Sequence, residues 1–267
     1  MPSLLRMDET SLRSLLWRVA GAILVIALAA LGWAALAAAE PVAVRHVEGV
    51  SRGFPVLRSL DGELLARGDL IQVVRRGRVE SRLVFRFTDG SVHDEVVIFS
   101  QDDGVFTLHS YRLLQQGPSF PETVEGAFDR ATERWWIRYR ADEESPEETL
   151  SGRLELPGDV YNGMLGLLVK NLPAGRSATV QIVAFTPRPR LVKMLLAPAS
   201  EDLVMIGERA VRSARWMVRP QLGLVASLLV ADLPDIRWWI AEGEAPGFLK
   251  FEGPLYFMGP VWRVELN

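Results

Sequence analysis

The side chains able to do acid–base or metal chemistry are few. Cysteine is absent, and histidine occurs only at positions 46, 93 and 109. The lack of cysteine excludes thiolate nucleophiles, thiolate metal sites and disulfides, and with them a lipoprotein anchor on an acylated cysteine. His46 lies in a Gly- and Pro-containing lead-in. His93 and His109 fall on what read as neighbouring strands joined at Asp102-Asp103. A two-residue turn there sets His93 opposite Arg112 and His109 opposite Val96, so the imidazoles leave opposite faces, and a shared metal ion would need them on one. Asp94 and Glu95 point apart on the same strand. The acidic run 142–148 lacks the spacing and central glycine of a calcium loop. Ser119 sits in Gly117-Pro118-Ser119-Phe120-Pro121, which suits a rigid turn better than a nucleophile. G-x-S-x-G, H-E-x-x-H, P-loop and dinucleotide fingerprints are all missing. The sequence therefore offers no catalytic residue, metal ligand or cofactor site, and a hydrolase would need carboxylates assembled from distant segments.

The stronger signal is apolar. Val96-Val97-Ile98-Phe99, Leu113-Leu114, Trp135-Trp136 and Trp238-Trp239 put large apolar side chains at adjacent positions. Adjacent strand residues face opposite sides, so parts of the sheet are apolar on both faces. A helix, a second sheet, an apolar ligand or a membrane surface must cover the second face. Leu83, Phe85 and Phe87 alternate with Arg82 and Arg86, which marks one face as inward. Phe85, Trp136 and Trp239 are the candidate ligand-binding residues, and the inward member of each tryptophan pair stays open at this stage.

The elements that would position them are short strands between turn residues. Strands are expected at 69–76, 79–88, 91–100 and 105–116, as a meander turning at Gly77-Arg78, Asp89-Gly90 and Asp102–Gly104. Others follow at 132–140, 149–156, 177–186, 190–197, 202–207, 209–219, 236–243, 247–252 and 261–266. Asp159 can cap a helix running to Lys170, where Gly163 and Gly166 permit close packing on a sheet. A second short helix is expected at 221–233. The fold class is mainly β: a curved antiparallel sheet, half-barrel or sandwich-like, with two short covering helices, after an N-terminal hydrophobic helix. Residues 40–62 read as an irregular lead-in, and 63–267 as a single β-rich domain.

Residues 19–39 carry no charge. As a helix they would span about 31 Å, enough for a hydrocarbon core of about 30 Å. Arg6, Arg13 and Arg18 precede the run, which places the N-terminus inside and the domain outside. Ala37-Ala38-Ala39 also fits a signal-peptide cleavage site, so residues 1–39 are a signal peptide or a retained membrane anchor. Either way the domain is exported across the cytoplasmic membrane and periplasmic. The formal net charge is −3, and an acidic domain lacks the basic footprint of a nucleic-acid binder. The expected partners are a lipid or other apolar ligand, and the membrane through 19–39 if that segment is kept. The alternative is a non-enzymatic scaffold or interaction module of the envelope.

The segments Gln116–Pro121 (QGPSFP), Tyr161–Met164 (YNGM), Thr186–Lys193 (TPRPRLVK), Gly243–Phe248 (GEAPGF) and Glu252–Tyr256 (EGPLY) resemble a family of exported bacterial β-rich proteins without assigned function. The resemblance covers most of 56–266 and implies an exported domain, with no catalytic residue to carry over. In element count, the reading is also similar to the half-barrels of lipoprotein carriers, a likeness of fold alone.

Overall fold

Fifteen β-strands build one antiparallel sheet among residues 41–142, 144–185, 188–221 and 235–266, the residues that the computed structural model describes. The uncharged run 19–39 lies outside them, as does the helix expected at 221–233 except for Gln221. The strands are β1 Ser51–Gly53, β2 Pro55–Arg58, β3 Leu64–Arg75, β4 Arg78–Phe87, β5 Val92–Ser100, β6 Thr107–Gln116, β7 Thr123–Asp129 and β8 Arg134–Arg140. They continue as β9 Glu148–Arg153, β10 Ala178–Ala184, β11 Arg190–Ile206, β12 Arg209–Pro220, β13 Ile236–Ala241, β14 Phe248–Gly253 and β15 Trp262–Leu266, with one α-helix, α1, at Leu165–Asn171.

The chain starts in the middle of this sheet. From β2 it meanders outward to the edge strand β9, crosses through residues 154–177 to the far edge at β10, and meanders back until β15 pairs with β2. The two edge strands β9 and β10 do not pair with each other, so the sheet is open in its hydrogen bonding. It nevertheless curls until its two arms touch. Phe185, just past β10, stacks on Tyr111 of β6 and Phe128 of β7, with ring centroids 5.8 and 6.2 Å away. A Cβ on Gly126 of β7 would come 2.6 Å from the Phe185 ring, so only glycine admits that overlap.

Several expectations are corrected. The lead-in is not irregular, since β1 and β2 lie in it and β2 joins the two arms. β7 was not anticipated. The strands expected at 190–197 and 202–207 are one strand, β11, whose Pro198 sits at a register shift where its missing N–H is tolerated. The β5–β6 connection is a 3-10 turn, Asp102–Gly104, with Asp103 at φ 55. This longer turn moves the pairing: His93 faces Gln115 and Val96 faces Arg112. The helix expected from Asp159 begins only at Leu165, because Gly163 takes φ +68 and breaks it.

Residues 159–171 form a plug on the concave face of the sheet. Along the free edge of β10, Gln181 N–H donates to Asp159 O (2.8 Å) and Tyr161 N–H donates to Gln181 O (2.9 Å). The Asn162 side chain then bonds both the N–H and the C=O of Val183, at 2.7 and 2.8 Å. A strand edge that would otherwise invite pairing is thus satisfied by one loop and one amide. The Tyr161 hydroxyl accepts from Val42 N–H (3.1 Å) and donates to Phe106 O (3.2 Å). Asn171 Oδ1 accepts from the N–H groups of Arg45 and His46, at 2.8 and 2.7 Å. A strap of residues 42–49 is therefore sewn to the plug, and Glu48 also meets Lys170 and the Gln72 side chain.

Two apolar clusters fill the curl. The larger gathers Val97, Phe99, Phe106, Leu108, Tyr161, Leu168, Leu196, Trp216 and Val218 around the plug. The smaller holds Leu57, Phe85, Phe87, Phe120, Phe251 and Trp262 at the other end. There the QGPSFP and EGPLY segments meet, Phe120 lying edge-on to Phe87, Tyr256 and Trp262. The plug touches both arms through glycines: a Cβ on Gly163 would lie 2.4 Å from Val97 of β5, and one on Gly166 2.3 Å from Trp238 of β13. Gly166→Ala should therefore destabilise the fold by about 1–3 kcal/mol, the cost of overpacking. Gly247→Ala, where an added methyl meets nothing within 4 Å, should be nearly neutral. Urea unfolding followed by tryptophan fluorescence checks the pair, and equal midpoints would contradict the packing.

Candidate functional site

The concave wall is read in rows across the strands. One row runs Gln72, Ser81, Val97, Tyr111 and Phe128. Two residues along, toward the aromatic end, a second runs Leu70, Leu83, Glu95, Leu113 and Gly126. A third runs Gly68, Phe85, His93, Gln115 and Val124. In the outer rows Gln72, Val97, Tyr111, Phe128, Phe85, His93, Gln115 and Val124 are buried. In the middle row Leu70, Leu83, Glu95 and Leu113 are only half-buried. A band of leucines around a single carboxylate is therefore less tightly covered than the two rows that flank it, with Gly163 of the plug lying over Glu95.

Glu95 is the chemical centre of that band. Tyr111 donates its hydroxyl to Glu95 Oε1 at 2.6 Å. Burial pushes the Glu95 carboxyl up, partly offset by this hydrogen bond. Burial, with the nearby Glu95 charge, also pushes the Tyr111 phenol well up. Across the curl, the Trp238 indole N–H is buried and meets no acceptor among the described residues. Ile236 and Trp238 pack against both apolar clusters. His93 accepts from Gln115 Nε2 at its Nδ1 (3.0 Å), and the same amide donates to Leu255 O (2.8 Å). An accepting Nδ1 requires the neutral ring with its proton on Nε2. Burial lowers the His93 pKa to about 4, against the opposing pull of Asp94.

The three candidate residues do not converge. Phe85 is fully buried in the smaller cluster on the concave wall. Trp136 is on the convex face, where its row through Ala127, Arg112 and Val96 lines a groove of about 430 Å³ with Ile98. Trp239 is also convex. Its indole donates to Asp202 (2.8 Å), Lys250 Nζ lies 3.8 Å from its ring, and the groove of about 520 Å³ beside it also takes in Leu203 and Met205. The inward members of the pairs are Trp135 and Trp238. Strand parity could not choose between them before the pairing was known.

Glu95 and Tyr111 were not among the candidates. That Asp94 and Glu95 point apart removes them as a pair, yet it sends one of them inward. The available signal was an acid at an inward position of His93-x-Glu95-x-Val97-x-Phe99. Asp94 goes outward, where it meets Arg82 at 2.6 Å and Arg112 at 3.9 Å. Glu125 pairs with Arg112 (2.6 Å) and also with Arg138. These convex carboxylates are held by arginines rather than poised for acid–base work. Among the described residues no three His, Asp or Glu side chains gather to hold a metal ion.

No family model and no curated protein matches the sequence. Among solved structures, the chain is similar to a beta-barrel-like protein of a domain of unknown function, DUF1849, from Brucella abortus. The match has 12% identity and a TM-score of 0.46, over 82% of this chain and 96% of that one. It lends no residue roles. The quoted segments and the analogy to lipoprotein carriers stay readings of the sequence. Among the described residues no helix is long and apolar enough to cross a membrane.

His93 makes stability depend on pH. Its folded pKa lies below the unfolded value of 6.5, so the unfolded chain takes up a proton that the folded chain refuses. The resulting loss is absent above pH 6.5 and grows as pH falls, reaching about 3 kcal/mol near pH 4. His93→Gln, which can still accept from Gln115, should lose less stability over that window. Urea unfolding of both proteins at pH 7.5, 6 and 5 checks this, and parallel pH profiles would refute it.

Proposed function

We propose that the protein binds an amphipathic, lipid-like molecule along the half-buried band of the concave wall. The observation that carries this reading is the Leu70–Leu83–Glu95–Leu113 row, half-buried between rows that are packed. An acyl chain lies against leucines at no polar cost. The polar end of an amphiphile meets Glu95, whose Oε1 already holds the Tyr111 proton, leaving Oε2 for the ligand. Binding sites of this kind are mostly apolar with a few placed polar groups. Burying a carboxyl costs stability, and Glu95 is placed where a leucine would continue the row, which supports a functional reason for the acid.

The reading extends to location. Delivery by residues 1–39 puts this binding domain in the envelope, beside the membranes that supply amphiphiles. Binding without catalysis is the better reading, because the hydrogen-bond partner of Glu95 among the described residues is the Tyr111 hydroxyl, and burial pushes both groups up toward their neutral forms.

The full chain, extracted without added lipid and analysed by native mass spectrometry, should carry a bound amphiphile at close to one per protein. Glu95→Leu should weaken binding of a fluorescent long-chain alcohol about tenfold, the equivalent of one hydrogen bond. A folded wild-type chain that carries no amphiphile and binds no such probe would refute the proposal.

A further inference from the structure

The strap 42–49 and the tip of the β3–β4 hairpin share one end of the curl. Arg78 of the tip pairs with Ser100. The next residue, Gln101, grips Glu48 of the strap through both backbone groups, at 2.7 and 2.8 Å. Gln72, two residues before Val74, bonds Gly49 O at 2.8 Å. The tip itself is Arg75-Arg76-Gly77-Arg78, all exposed. Arg76 and Gly77 hold φ of 53° and 79°, so the hairpin turns on two residues and projects its arginines outward. No ion pair joins Arg75, Arg76 or Arg78 to a carboxylate among the described residues. Asp102 and Asp103 of the neighbouring turn face the same end, and three arginines against two aspartates leave it basic. Exposed apolar residues accompany them: Val47 at 78%, Val50 at 77% and Val74 at 44%.

Among the described residues Val42 is the first buried one, and it lies at this end. Val42 is fixed there by Tyr161 (3.1 Å) and by Phe106 N–H donating to its carbonyl (3.1 Å). Only residues 40 and 41 separate it from Ala39, the last of the uncharged run. Three residues of extended chain reach about 10 Å, and that run is long enough to cross a bilayer. Basic groups near a bilayer are drawn to anionic headgroups, while exposed valines favour the interface.

We infer that the strap end is a membrane-facing surface, docking on anionic lipid through Arg75, Arg76 and Arg78 with Val47, Val50 and Val74. This orientation leaves the aromatic end, with Phe120, Tyr256 and Trp262, pointing away from the bilayer. It rests on residues 19–39 being kept as an anchor, and it holds whether or not the concave band binds a ligand.

The cysteine-free sequence allows one reporter per protein. The full chain carrying Val74→Cys or, as the far-end control, Phe257→Cys (66% exposed) is labelled with a fluorophore and reconstituted in phosphatidylglycerol–phosphatidylcholine vesicles containing a spin-labelled lipid. Quenching at position 74 should be at least twice that at 257. Reversing Arg75, Arg76 and Arg78 to Glu together should bring it down to the control level, with near-UV circular dichroism confirming that the fold is kept. Equal quenching at both positions, or quenching at 74 that charge reversal leaves unchanged, would overturn the inference.

Discussion

The whole architecture depends on how the free edge of β10 is satisfied. An open sheet of this length exposes two rows of backbone donors and acceptors, and a curled sheet would bury one of them. Buried backbone groups without partners cost more than most contacts return. Asp159, Tyr161 and Asn162 supply those partners, and the same segment carries its side chains into the space that the curl encloses. Closure of the edge and filling of the core are thus one event. The open hydrogen-bond pattern is stable because the plug does what a closing strand does in a true barrel.

Polar groups divide between the two faces by physical role. On the convex face, arginine–carboxylate pairs such as Arg82–Asp94 and Arg112–Glu125 cross neighbouring strands. Their guanidinium ends are partly solvated, so each pair adds little stability and mainly fixes cross-strand register. On the concave face the few polar groups are either fully engaged, as Asn162 and Asn171 are, or expensive, as Glu95 is. A buried carboxyl among leucines works against the fold. That asymmetry is the observation on which the proposed amphiphile site rests.

The motif-like segments find structural explanations. QGPSFP and EGPLY are two halves of one aromatic cap. YNGM lies within the plug: its Tyr and Asn make long-range hydrogen bonds, and its Gly makes the close approach to β5. The prolines and glycines that punctuate them shape turns, as the sequence suggested for Ser119, whose hydroxyl donates to Asp89 at 2.7 Å.

The sequence alone determined the β-rich class, most strand positions and the inward face of β4, because period-two alternation and turn residues are local properties. It also pointed to Gly163 and Gly166 as places of close packing. It did not determine which tryptophan of each pair faces inward, because that parity follows from pairing and bulges, and β5–β6 shifted when its turn proved longer than two residues. Nor could it find β2 and β7, because Pro55 and Gly126 are poor strand formers by themselves and only their neighbours accommodate them: β2 is sealed between β15 and β3, and Gly126 lies under Phe185. The band around Glu95 was set by tertiary structure alone. Its residues come from four strands, and only the pairing register places one carboxylate in a row of leucines.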